Sequence, residues 1–224
     1  LRRSIWLDQI ESTLVSIISA AKHDPCSEFA AQKAPGHIPG PSSVSQRIVV
    51  DARPYPPEGR DSLALELVSL YKAGWTKFVV VNCRGHRFIG NGFGPDSGRV
   101  QIDVIGSVGD YLGSGNDGMT IAMHGNAQDQ VAQIHKAGEL VVHGDVGQCY
   151  GYGSKGGNLF VLGNAAGRPM INSVGSPKLV INGTALDYLA ESFMAGDPLE
   201  GGGFVIINGI EYDERGEILP AKSG

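Results

Sequence analysis

Two histidines, His124 and His143, stand 19 residues apart in the similar strings IAMHG and LVVHG. In a chain that coils with this period they lie side by side on adjacent coils, near enough to share an ion or a proton. A catalytic zinc generally takes three protein ligands. The residues 19 before and 19 after the pair, Ile105 and Leu162, offer none, so no metal is expected and the pair reads as surface or interface histidines. Cys149, in DVGQCYGYG, could act as a nucleophile if a nearby base or cation lowered its pKa. The nearest basic side chain in sequence is Lys155, and His143 belongs to the preceding apolar run, so a structural thiol is the simpler reading. Were the chain an independent hydrolase or amidotransferase, Cys149 and His143 are its catalytic candidates. His86, between Arg84 and Arg87, could meet an anionic partner, although a short basic turn is more often only solvated. Asp103, Asp110, Asp117, Asp129 and Asp145 invite comparison with the stacked acids of calcium-dependent pectin-cleaving β-helices. They are expected not to share one column, which argues against a polysaccharide lyase.

These residues sit in a chain of 224 residues, long enough for one sizeable core plus a short arm. With 18 basic and 23 acidic residues the net charge is −5, and no like-charged block disturbs it. A nucleic-acid or anionic-membrane surface is disfavoured. Three widely spaced cysteines without a CxxC pair fit a reducing compartment. No apolar run approaches the roughly 18 residues of a membrane span. A cytoplasmic location is expected.

The elements that position the candidates begin with residues 1–45. Ile10, Leu14, Ile17, Ile18 and Ala21 lie on one helical face, forming an amphipathic arm that Pro25 ends. The segment APGHIPGPSS from Ala34 is then a linker. Arg47 to Asp51 reads as a strand. A capping helix follows near 61–73, with Asp61 as N-cap, Leu63, Leu67 and Leu70 on one face, and Gly74 as the stop. KFVVVNC, from Lys77 to Cys83, is a second strand.

Beyond it the chain repeats. Five apolar runs close on Gly106, Gly125, Gly144, Gly163 and Gly183, at intervals of 19, 19, 19 and 20. A sixth run, FVIING, ends at Gly209 after an interval of 26, and Gly85 lies 21 residues before the first. Stacking the runs gives two wholly apolar columns. One holds Val104, Met123, Val142, Val161 and Ile181, the other Ile102, Ile121, Leu140, Leu159 and Leu179. Alternate strand residues face opposite sides, so these columns point inward and the mixed columns between them point out. A single coil encloses no core, so the coils must stack at about 4.8 Å. The fold expected is mainly β, a single-stranded parallel β-helix of about six or seven turns over residues 46–210, with a tail at 211–224.

Two turns share the spacing GxxGxxxG, as Gly106, Gly109 and Gly113 and as Gly144, Gly147 and Gly151. Glycine there admits positive φ and close backbone approach. A phosphate-cradling loop would need a helix to follow, and here a strand does. With HGNAQDQ from His124, HGDVGQCYGYGSKGGNLFVLGNA from His143 and the upstream NCRGHRFIG, these turns resemble the GXGXG domain. That family includes the C-terminal domain of the glutamate synthase large subunit and the C subunit of formylmethanofuran dehydrogenase. The resemblance implies a right-handed β-helix that supports catalytic domains and binds no cofactor itself, with flavin and iron–sulfur clusters carried by partner subunits. The chain departs from the pattern after Gly163, where NAAGRPMINSVGSPK lacks the expected glycines, and after Gly196, where extra residues interrupt the last turn. The functional expectation is a non-catalytic structural or docking subunit of a multisubunit oxidoreductase of the glutamate synthase type, alone or as a homo-oligomer within the complex. A scaffold like the formylmethanofuran dehydrogenase C subunit is the alternative.

Overall fold

The computed structural model describes residues 28–196, 202–208 and 210–212, together with Ile5, Gln9, Ile10, Ser12, Thr13, Val15 and Ser16. Those seven positions are helical, and Ile10 is exposed. The remaining positions of the expected arm, the closing Gly209 and the tail beyond residue 212 lie outside the described residues.

The strands run β1 (Phe29–Gln32), β2 (Arg47–Asp51), β3 (Lys77–His86), β4 (Gln101–Val108), β5 (Asp117–Ala127) and β6 (Ala137–Val142). They continue with β7 (Asn158–Val161), β8 (Val174–Gly175), β9 (Lys178–Ile181), β10 (Met194–Ala195), β11 (Phe204–Ile207) and β12 (Ile210–Tyr212). One sheet carries most of them, in the order β1-β2-β3-β4-β5-β6-β7-β9-β11-β12, and β8 pairs with β10 in a second, short one. Every pairing in the large sheet is parallel except β11 with β12. This is a parallel β-helix of about eight turns.

The repeat and the register coincide: Ile102 pairs with Ile121, Val104 with Met123 and Gly106 with Gly125. The two inward columns are closed off from solvent, every member from Ile102 and Val104 to Leu179 and Ile181 being at most 1% exposed. Burying each such side chain is worth roughly 1.5–3 kcal/mol, which ties every coil to its neighbours.

The stack exceeds the expected six or seven turns because β1 and β2 precede β3 in it. Ile48 pairs with Phe78 and Phe78 with Ile102, continuing one inward column, while Val50, Val80 and Val104 continue the other. Thirty residues separate Ile48 from Phe78 and 24 separate Phe78 from Ile102, so a search at a fixed period of 19 passes over both steps.

The helix α1 (Leu63–Lys72) fills the longer crossover and buries Leu63, Ala64, Leu67 and Leu70. Its N-cap is Ser62, extended at ψ 155°, rather than Asp61, and Gly74 at φ 103° turns the chain out of it. The helix does not close the sheet, which runs on past it to β1. It packs instead on the loop of the next coil, with Tyr71 against Phe93 at 5.1 Å between ring centroids.

Candidate functional site: glycine corners and the outward histidines

The glycines singled out in the sequence serve two physical needs. Gly106, Gly113 and Gly151 have positive φ, at 122°, 63° and 69°. The others are required for close approach. A Cβ on Gly163 would lie 2.6 Å from the backbone oxygen of Gly144, and one on Gly183 2.5 Å from that of Gly163. Gly125 and Gly144 meet the backbone oxygens of Gly106 and Gly125 in the same way, so the closing glycines form one column stacked backbone on backbone. Gly109 and Gly147 are held equally tightly against Gly85 and Gln128.

After each corner three alternate residues adopt left-handed conformation. The sets are Tyr111, Gly113 and Gly115, then Gln130, Ala132 and Ile134, then Cys149, Gly151 and Gly153. The run after Gly163, which lacks the expected glycines, repeats the pattern with Arg168, Met170 and Asn172, at φ 64°, 61° and 57°. Such angles cost a non-glycine residue of order 1 kcal/mol or more. The backbone bonds offset this, because alternate N–H groups reach opposite neighbours. Gln130 donates forward to the Gln148 oxygen at 2.8 Å, and Ala132 donates back to the Leu112 oxygen at 2.8 Å. The stack imposes the corner whatever the side chain.

His124 and His143 do meet, on the outward face of the sheet, with ring centroids 4.7 Å apart. Asp103, one coil back, joins them through a 2.8 Å contact between its Oδ1 and His124 Nε2. The sequence reading overlooked this acid, although it shares the outward face of the adjacent strand two residues before Ile105. Among the described residues no group of three or more His, Cys, Asp or Glu is placed to hold a metal ion. The arrangement is a partly exposed hydrogen-bonded histidine–carboxylate pair with a second imidazole beside it.

The basic turn is divided by the fold. His86 is only 5% exposed; its Nδ1 accepts from the Arg84 N–H at 3.1 Å and its Nε2 faces the Tyr55 carbonyl at 3.1 Å. Arg87 pairs with Glu58 and Asp110 and lies over the stacked rings of Phe88 and Tyr111. Arg84 alone of the three is exposed. Behind this turn the buried Asp51 accepts from Arg53 and Asn82; burial alone would raise its pKa, but these bonds together hold it below the usual carboxylate range.

Cys149 is half-buried at a corner, φ 59°, in the position that Gln130 holds one coil back and Arg168 one coil on. The acids are less scattered than expected. Asp110 and Asp129 share a column after all, where the Asp110 side chain accepts the Asp129 N–H at 3.1 Å and Asp129 accepts that of Gln148 at 2.8 Å. Asp145 belongs to a second ladder, accepting from the Asn164 N–H at 2.8 Å and itself donating its N–H to Asn126. Asp117 pairs with Lys136, also 19 residues on. These carboxylates are spent on joining coils.

A further column escaped the sequence reading. Ser97, Asn116, His135, Ser154 and Ser173 recur every 19 residues and are each at most 1% exposed. Most are satisfied by nearby backbone: Asn116 bonds both the N–H and the carbonyl of Met119, and Ser173 Oγ donates to the Gly151 carbonyl at 2.9 Å. His135 is the exception. Its Nε2 is 3.4 Å from the Gly138 carbonyl and its Nδ1 has no partner, and burial pushes its pKa down to about 4. The fixed 19-residue spacing of polar side chains was the available signal.

No protein-family model and no solved structure matches the chain. Part of it is 34% identical, over 120 aligned residues, to ferredoxin-dependent glutamate synthase 2 of Synechocystis sp., an alignment covering 47% of this chain and 7% of that protein. A 65-residue alignment with Protein GlxC of Rhizobium meliloti is 39% identical and covers 29% of this chain and 27% of that protein. The chain therefore spans well under a third of either relative's length. Its parallel coils and these partial likenesses together place it in a glutamate-synthase-type relationship.

Proposed function

We propose that the chain is a structural and docking module of a multisubunit oxidoreductase of the glutamate synthase type, supporting catalytic subunits that carry flavin and iron–sulfur groups. The observation that carries this reading is the likeness to a stretch amounting to 7% of a far larger glutamate synthase. A β-helix that forms so small a part of its relative is suited to spacing other domains. The use of corner polar groups supports it, since Asp110, Asp129, Asp145 and Asn164 all bond to the next coil. A rigid stack leaves the outward columns for contact, among them half-buried Val141 and Phe160 beside Leu162, which is 44% exposed.

Native mass spectrometry of the complex recovered under mild conditions from the host tests the reading. The expected result is this chain bound to flavin- and cluster-bearing subunits. Recovery of only this chain, at a monomer's or homo-oligomer's mass, overturns it.

A further inference from the structure

A cleft of about 550 Å³ opens where the ends of β3, β4 and β5 meet the linker and the end of α1. Two cations line it, Lys77 at the start of β3 and Arg99 just before β4. Neither makes an ion pair among the described residues, whereas Arg53, Arg87 and Lys136 each have a carboxylate partner. Lys77 is half-buried, and a cation partly withdrawn from water without a counter-charge is costly. The only acid among the described lining residues is Asp96, so the cleft has two positive charges to one negative in a chain whose net charge is −5.

The rest of the wall fits an oxyanion with an organic stem. Thr76, Gln101 and Thr120 bring two hydroxyls and an amide to the cleft, and backbone bonds from Gln101 to Thr76 and from Thr120 to Val100 hold that wall in place. Opposite it stand the Tyr71 ring and Val44, an apolar side chain left 88% exposed. The Tyr71 hydroxyl donates to the Asp96 carbonyl at 3.3 Å, fixing the helix end to the loop that carries Arg99. The volume lies within the range of small-molecule sites and exceeds what a bare inorganic ion needs.

We propose that this cleft binds a small organic oxyanion, a carboxylate or phosphate monoester, with its charged head on Lys77 and Arg99 and its stem against Tyr71 and Val44. The site stands apart from the docking role and does not depend on it. The test titrates the full-length chain with glutarate and, separately, with glycerol 3-phosphate, following backbone amide shifts by NMR. Saturable shifts at Thr76, Lys77, Gly98, Gln101 and Thr120 are expected with at least one probe. Which probe saturates at lower concentration distinguishes a carboxylate head from a phosphate head. In the Lys77→Met/Arg99→Met variant, with its fold checked by circular dichroism, affinity should fall at least tenfold. Arg84→Met, removing an exposed cation elsewhere, should leave it unchanged. The proposal is overturned if neither probe saturates, or if the double variant binds as the parent does.

Discussion

Acidification should weaken this fold through His135. Its imidazole is fully buried and its Nδ1 is unpartnered, so the charged form has neither water nor an acceptor there. Burial lowers its pKa from 6.5 to about 4, against smaller opposing contributions from the Gly138 carbonyl and Asp117. Because the folded value lies below the unfolded one, the unfolded chain takes up the proton first as pH falls. Stability is then complete above about pH 6.5 and declines toward pH 4. The span of about 2.5 units corresponds to roughly 3 kcal/mol at pH 4. Replacing the ring isolates this contribution from that of the other titrating groups. Asn116 fills the same column one coil earlier and satisfies both ends of its amide on Met119, so His135→Asn is the natural variant. Urea unfolding of both proteins at pH 7 and pH 4 measures the difference. The parent should lose about 3 kcal/mol more than the variant over that interval. Equal losses would refute the reasoning, because His135 would then titrate alike folded and unfolded.

Strand phase is tested by a neighbouring pair. Val142→Asp buries an unpaired charge and should cost several kcal/mol, while half-buried, outward Val141→Asp should cost far less; equal midpoint shifts in denaturant would reverse the assignment. Gly125→Ala drives a Cβ into the Gly106 carbonyl and should cost about 3 kcal/mol or prevent folding, whereas Gly98→Ala, with open space and ordinary φ, should change the thermal midpoint little. Asn164→Ala removes the acceptor for the Thr184 N–H and hydroxyl and should cost on the order of 1 kcal/mol by chemical denaturation.

The 19-residue spacing of apolar residues was enough to determine the parallel stack, its inward columns and its glycine corners. In a β-helix the repeat length is itself the register, so a pattern along the chain becomes a pattern in space. The meeting of His124 with His143 was legible for the same reason. Tertiary structure decided everything that departs from the period or runs across it. The two extra leading coils have long crossovers, so only pairing aligns Ile48 and Phe78 with the columns. Asp103 reaches His124 diagonally between neighbouring strands, a relation that no single column contains. Arg168, Met170 and Asn172 take left-handed angles that their own preferences oppose, because the coils on either side accept their N–H groups or supply the matching bonds. The cleft beside Lys77 and Arg99 likewise needs linker, helix and strands brought together from separate stretches of chain. Local sequence sets what each coil prefers, and contact with adjoining coils supplies the free energy that overrides it.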